Sequence, residues 1–282
     1  MHVHPHFPNL ILHSNNELSE LLGKTVSSRK TLHEWPLSCV QQLVLQDGSK
    51  LVYKTQLPPT VEPGFYEAAK TSLLPQYRLL SKMGQCETMT LEWIDAPLLS
   101  NVATEENSIL AYGKAVIEQI GAIEGTLPVY LDIGSQQAWI QTVQDMCEKL
   151  QTLIQHKQFV LVKPPVIEQL QEWANSKPVI DAVGTGARVI HGDLKADQIF
   201  VTEDGFRVID WQRPVMAPPE TDLVSLLVEQ HIDPRTYVNE AVTGIYWLLR
   251  LHWAVVAQAD LFPGKRWPLF DQWAKEAVTQ LF

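Results

Sequence analysis

The sequence predicts an α+β chain of two lobes, a small antiparallel-sheet lobe followed by a mainly helical one. Three observations carry this. Five β-prone segments crowd the first third of the chain, at 25–32, 40–45, 50–54, 76–81 and 87–93. Beyond residue 95 the apolar residues recur at helical spacing. Late in that helical half, two β-prone runs flank Asp204-Gly205, a strong two-residue hairpin signal. A length of 282 residues allows one large or two modest domains. The boundary is expected near residue 95, giving 1–94 and 95–282.

The elements follow in order. His2, His4 and His6 alternate, so an extended chain would put them on one side, where they could hold a transition metal. The plainer reading is a mobile terminus. Residues 15–22 read as a helix with Asn15 or Asn16 as N-cap and Gly23 as its stop. Asp47-Gly48 turns the second strand into the third, where Leu51, Tyr53 and Thr55 face one way and Val52 and Lys54 the other. A lysine in so apolar a strand needs an anionic partner or an exposed face. Residues 63–70, with alanines and an acid near the first turn, read as a helix start. Pro97 blocks continuation of the fifth strand. Helical stripes follow at 105–124, 139–154 and 166–175. Two or three further helical segments close the chain, and the spacing of Trp247, Trp253, Trp267 and Trp273 is that of core residues.

Composition narrows the function. Net charge is −10, which argues against nucleic acid as a general partner, because phosphate binding needs basic surface. It weakly favours cationic ligands, and a plain solvated acidic surface accounts for it equally well. The most apolar long segment, 241–262, carries Arg250, His252 and Asp260, so it reads as a buried helix rather than a membrane span. Cys39, Cys86 and Cys147 form no CxxC pair and suit free thiols in a reducing cytoplasm.

The chemistry concentrates in residues 188–227. A hairpin at 199–209 brings the loop before it and the acid after it to one end. That lets Asp193, Gln198 and Asp210 converge. Two carboxylates and an amide oxygen suit a hard divalent cation plus a positioned base. The phrase His191-Gly192-Asp193-Leu194-Lys195-Ala196-Asp197-Gln198, followed by Val208-Ile209-Asp210-Trp211, resembles the catalytic core of the aminoglycoside phosphotransferase family. That family has a protein-kinase-like fold and includes choline and fructosamine kinase relatives.

The resemblance implies a magnesium-dependent kinase that moves the γ-phosphate of ATP or GTP to a hydroxyl of a small, possibly cationic molecule of aminoglycoside, amino-alcohol or sugar type. It implies roles residue by residue. Asp193 is the base, and Lys195 reaches the γ-phosphate. Asp210 and Gln198 hold Mg2+, although the family has Asn where Gln198 stands. Lys54 grips the phosphates and is aimed by Glu67, thirteen residues on. Leu91 backs the adenine, and the main chain of Glu92 and Ile94 pairs with it. Asp222 buttresses the catalytic loop. Protein kinases have a glycine-rich loop between the first two strands. Here 33–38 contains no glycine, which leaves phosphate contact to Ser38 and nearby amides. The alternative is a weak nucleotide-binding pseudokinase or scaffold, to which Gln198 and that loop point. The intact types at Lys54, Glu67, Asp193 and Asp210 favour the enzyme. A monomer or homodimer, with no membrane partner, completes the expectation.

Overall fold

In the computed structural model, which describes all 282 residues, the chain opens with a short strap. Strand β1 (His2–Val3) pairs antiparallel with β2 (Ile11–Leu12). Helix α1 (Asn15–Leu22) follows. Its cap is Ser14 rather than an asparagine: Ser14 and Glu17 form a reciprocal capping box, and Gly23 ends the helix at φ +69°. The strap is paired rather than extended alone, through His2↔Leu12 and Val3↔Ile11, and His4 within it is buried.

Five strands then build one antiparallel sheet: β3 (Val26–Trp35), β4 (Ser38–Leu45), β5 (Lys50–Gln56), β6 (Tyr77–Met83) and β7 (Cys86–Glu92), in the order β3-β4-β5-β7-β6. The expected loop at 33–38 is mostly strand: His33, Glu34 and Trp35 pair with Val40, Cys39 and Ser38, leaving Pro36-Leu37 as a two-residue turn. Helix α2 (Glu62–Ala68) lies between β5 and β6 in sequence, and the short α3 (Leu99–Val102) follows β7. The alternation expected along β5 is found. Tyr53 and Thr55 turn toward the strap, bonding His13 and Ile11, whereas Lys54 turns toward α2. Leu10, Leu12, Leu18, Leu43, Leu45 and Tyr53 belong to the core beneath the strap.

The chain continues with α4 (Glu106–Gly121), β8 (Leu131–Asp132), α5 (Gln136–Gln155), α6 (Pro165–Ala174), α7 (Lys177–Gly184) and β9 (Arg188–Ile190). A 3-10 turn over Ala196–Gln198 leads into the hairpin β10 (Ile199–Thr202) and β11 (Gly205–Val208). Gly205 at φ +133° supplies the turn conformation an L side chain resists. After β12 (Val215–Ala217) come α8 (Glu220–Glu229), α9 (Glu240–Val256) with one π turn at its end, and α10 (Pro268–Leu281). No helix is long and apolar enough to cross a membrane.

The contacts divide this chain into two compact units that are not contiguous in sequence. The first comprises Met1–Thr104, Ala122–Tyr130 and Ala196–Pro214, and holds the five-stranded sheet and the β10–β11 hairpin. The second comprises Glu105–Gly121, Leu131–Lys195 and Val215–Phe282, and is built on α4 to α10 around a small sheet, β8-β12-β9. The boundary expected near residue 95 thus falls inside the first unit, which runs on to Thr104 and takes back two later segments. Close packing explains one glycine of the second unit. A Cβ on Gly113 of α4 would come within 2.8 Å of the Leu226 side chain on α8, so the two helices approach where α4 has no side chain.

Candidate active site

Lys54 occupies the middle strand of the sheet, paired with Val40 on one side and Met89 on the other. Its side chain is 4% exposed, so its charge must be met inside the protein. Two carboxylates meet it: Glu62 Oε2 at 2.5 Å and Asp210 Oδ1 at 2.8 Å. Burial would push the Lys54 ammonium down, but Asp210 and Glu62 outweigh it and hold the group above its ordinary range. Glu62 is fully buried, which raises its carboxyl. Lys54 pulls it down, and the like charge of Asp210 adds to the rise.

Glu67 is not the partner. It lies five residues beyond Glu62, about 140° around the helix, and is exposed. The sequence did carry the right acid. Glu62 directly precedes Pro63, which favours the first helical turn, and a helix beginning at 62 puts Glu62 rather than Glu67 toward the sheet. The helix start is tied down from both directions. The Val61 N–H donates to the Gln212 carbonyl at 3.0 Å, and the Phe65 ring stacks on Trp211 at 4.4 Å. Both partners follow Asp210, so the packing that seats α2 also seats the acid.

Asp210 has φ +72°, a left-handed conformation that costs a non-glycine residue about 1–2 kcal/mol. Its neighbours impose it. The Gln212 N–H donates to the Asp210 carbonyl at 2.8 Å, the Ile209 N–H to the Gln198 carbonyl at 3.0 Å, and Trp211 Nε1 to the Val208 carbonyl at 3.0 Å. Ile199 pairs with Val208 at the open end of the hairpin, so Gln198 and Asp210 stand at the same end, as the turn signal predicts. The Asp210 side chain is 40% exposed and keeps carboxylate surface open; Gln198 is buried at 8%.

The remaining residues expected in the first unit lie as follows. Ser38 opens β4, buried and paired with Gln56 of β5, so it lies in a strand rather than on a loop. Leu91 is buried near the end of β7, and Glu92 and Ile94 are half-buried at and beyond it. The Glu92 amide is committed to the Gln76 carbonyl at 2.9 Å. Tyr66 was missed. One turn after Glu62, its hydroxyl is fully buried without a hydrogen-bond partner. Burial first, then Glu62, Asp210 and Glu92, push it well above its usual range.

The second unit holds His191, Gly192, Asp193 and Lys195 of the expected catalytic loop. Gly192 turns the chain at φ +83° directly after β9. Asp222, in the first turn of α8 and 1% exposed, accepts the His191 N–H at 2.7 Å and the Gly192 N–H at 2.9 Å. Burial pushes its carboxyl up, against the pull of His191 and these two amides. Asp193 is a quarter exposed and flanked by two cations: Lys195 Nζ donates to Oδ2 at 3.0 Å, and Arg250 Nη1 lies 3.5 Å from Oδ1. Arg250 comes from α9 and sits over the Trp273 ring of α10 at 5.8 Å. It was read only as a charge interrupting an apolar helix; that interruption was the signal.

Comparison with known proteins adds three findings. A model of the phosphotransferase enzyme family matches residues 75–250. No curated protein matches the sequence. Solved structures share the fold. A spectinomycin phosphotransferase, APH(9)-Ia, in complex with ADP and spectinomycin is 15% identical, with TM-score 0.60 over 96% of this chain and 98% of its own. A thermostable mutant of the aminoglycoside phosphotransferase APH(4)-Ia is 13% identical, with TM-score 0.61 over 95% and 98%. A choline/ethanolamine kinase family protein from Mesorhizobium loti is 17% identical, with TM-score 0.60 over 90% and 87%.

Proposed function

Because this chain belongs to the phosphotransferase enzyme family, we propose that it transfers the γ-phosphoryl group of ATP or GTP to a hydroxyl of a small molecule of the aminoglycoside, amino-alcohol or sugar type. The observation that carries this is Lys54, buried in a central strand between Glu62 and Asp210. A lysine kept charged by two acids is poised to exchange one of them for a phosphate. Asp210 is the one free to yield, being 40% exposed where Glu62 is fully buried.

In this reading Lys54 binds the nucleotide phosphates and Glu62 positions it. Leu91, Glu92 and Ile94 line the base. Asp193 orients the acceptor hydroxyl and takes its proton as the new O–P bond forms and the nucleoside diphosphate leaves. Lys195 and Arg250 hold the Asp193 carboxylate between them, and Lys195 also reaches the transferred phosphoryl group. Asp222 keeps the loop beneath Asp193 in shape by taking two of its amides. The donor set at the hairpin end, the open Asp210 carboxylate with the Gln198 amide oxygen, is all hard oxygen and suits Mg2+, which when bound supplies charge neutralisation at the phosphate oxygens. Of the relatives, APH(9)-Ia was crystallised with ADP and a thermostable mutant of APH(4)-Ia with AMP-PNP, which supports a nucleotide donor. Three buried free cysteines agree with action in the cytoplasm.

One observation favours a second reading, a nucleotide-binding protein that transfers poorly: Gln198 is largely buried where a metal ligand should be open. A single set of measurements separates the two. Thermal shift with Mg-ATP and Mg-GTP reports binding, and should raise stability by about 2.7 kcal/mol at a hundredfold excess over Kd. Phosphoryl transfer is then followed over a panel of aminoglycosides, amino alcohols and sugars. Binding with transfer that Asp193→Asn abolishes supports the kinase. Binding without transfer to any acceptor supports the second reading, and no shift with either nucleotide removes both.

A further inference from the structure

We propose that His4, Glu34 and Cys39 form a binding site for a thiophilic divalent transition-metal ion of the zinc type, seated between the N-terminal strap and the first hairpin of the sheet. The site lies in the first unit and is independent of the phosphotransfer chemistry.

The three side chains offer an imidazole nitrogen, a carboxylate oxygen and a sulfur, all within 4.8 Å of one another. Each is placed by the fold. Glu34 and Cys39 are direct cross-strand partners on β3 and β4, which puts their side chains on one face. His4 is brought over them by the strap. Its N–H donates to the Leu10 carbonyl at 2.9 Å, and its ring stacks on Phe7 at 5.1 Å. The imidazole is only 4% exposed, with Nε2 already 3.1 Å from Glu34 Oε2. Of the alternating histidines His2, His4 and His6, only the middle one is buried.

Cys39 differs from the cysteine nearest it in kind. Cys86 Sγ donates to the Asn9 carbonyl and accepts the Ile11 N–H, so its sulfur is committed. Cys39 Sγ makes no hydrogen bond, yet it lies fully buried beside an imidazole and a carboxylate. A sulfur in the set excludes calcium and magnesium, which take oxygen donors. Thiolate, imidazole and carboxylate together suit zinc or cobalt with one position left open, and the half-exposed Glu34 lies on the solvent side. Tetrahedral zinc places such donors about 3.4–3.6 Å apart, so the His4–Glu34 pair, at 3.1 Å, opens slightly, and any pair at the 4.8 Å limit closes by roughly 1 Å.

The proton balance is simple. The ion takes the thiolate of Cys39, whose proton goes to solvent. At His4 the ion displaces the proton shared between Nε2 and Glu34. That proton moves to Nδ1 at the cost of the 3.2 Å hydrogen bond that the His6 N–H donates there. Binding therefore pins residues 1–12 to the sheet.

The test uses the untagged full chain, stripped with a chelator and titrated with Co2+. We expect a thiolate-to-cobalt charge-transfer band and tetrahedral d–d absorption, saturating at one ion per chain and displaced by Zn2+. C39S abolishes the charge-transfer band, and E34Q weakens binding by at least about tenfold. Because Glu34 is half-exposed, E34Q keeps the test valid if C39S fails to fold. A band that persists in C39S overturns the proposal. So does the absence of any charge-transfer band, or binding that E34Q leaves unchanged but H2Q or H6Q removes, which would put the ion on the exposed histidines.

Discussion

Lys54 and Glu62 meet at 2.5 Å with side chains 4% and 0% exposed, an ion pair closed to water and joined at 2.8 Å by Asp210. Replacing Glu62 with glutamine leaves a buried lysine with one anion instead of two. Breaking a buried pair costs roughly 3–5 kcal/mol, and because Asp210 remains, the lower end is expected. The loss of a fixed lysine should lower kcat/KM about 100-fold. Glu67→Gln, five residues along the same helix and exposed, should change stability by less than about 0.5 kcal/mol and leave activity alone. Urea unfolding and transfer kinetics on the two variants measure both. Equal effects at 62 and 67 would contradict the pairing.

Asp222 receives the amides of His191 and Gly192 from a fully buried position. Asp222→Ala leaves the buried His191 N–H and the part-buried Gly192 N–H without an acceptor, costing about 1–3 kcal/mol for the first and less for the second. Asp222→Asn keeps one oxygen and should lose about half as much. Guanidinium midpoints for the pair check the order, which fails if the asparagine variant is the weaker.

What the sequence made legible is what local chemistry decides. The β10–β11 hairpin followed from Asp204-Gly205 and its β-prone flanks, and it delivered Gln198 and Asp210 to one end. Lys54 stood out because a charge in an apolar strand demands a partner. Which glutamate answered was decided by where α2 begins, and a shift of a few residues there rotates the wrong acid inward. Burial of His4 depends on Phe7, Leu10 and Glu34 meeting across the strap, contacts that no local pattern encodes. The return of residues 196–214 to the first unit is likewise a matter of long-range packing, through Val61, Phe65 and Leu73.

Asp193 lies between Lys195 and Arg250. Asp193→Asn keeps the side chain's shape but removes the proposed proton acceptor, and should lower kcat roughly 10²–10⁴-fold while thermal shift with Mg-ATP is unchanged. Arg250→Met removes one of the two groups that fix the carboxylate and the cation over Trp273, with an expected fall of about tenfold in kcat at constant nucleotide affinity. A loss of nucleotide binding in either variant would move these residues out of the acceptor side of the chemistry.

His252 gives the fold an acid-sensitive point in α9. Burial in α9 pushes its imidazole down to about 4, with Lys149 adding to the effect and Asp260 opposing it. In the unfolded chain the group titrates near its ordinary 6.5. Above pH 6.5 both states are neutral there and the group's contribution is fully present. As pH falls from 6.5 toward 4, the unfolded chain takes up a proton that the folded one refuses, and stability is lost. The ceiling is about 3 kcal/mol, reached below pH 4, with about 1.4 kcal/mol gone by pH 5.5. His252→Gln cannot titrate, so its unfolding free energy should change less between pH 7.5 and 5.5 than that of the unsubstituted chain. Urea denaturation at the two pH values measures the difference, and parallel losses in the two proteins would assign the acid sensitivity to other groups.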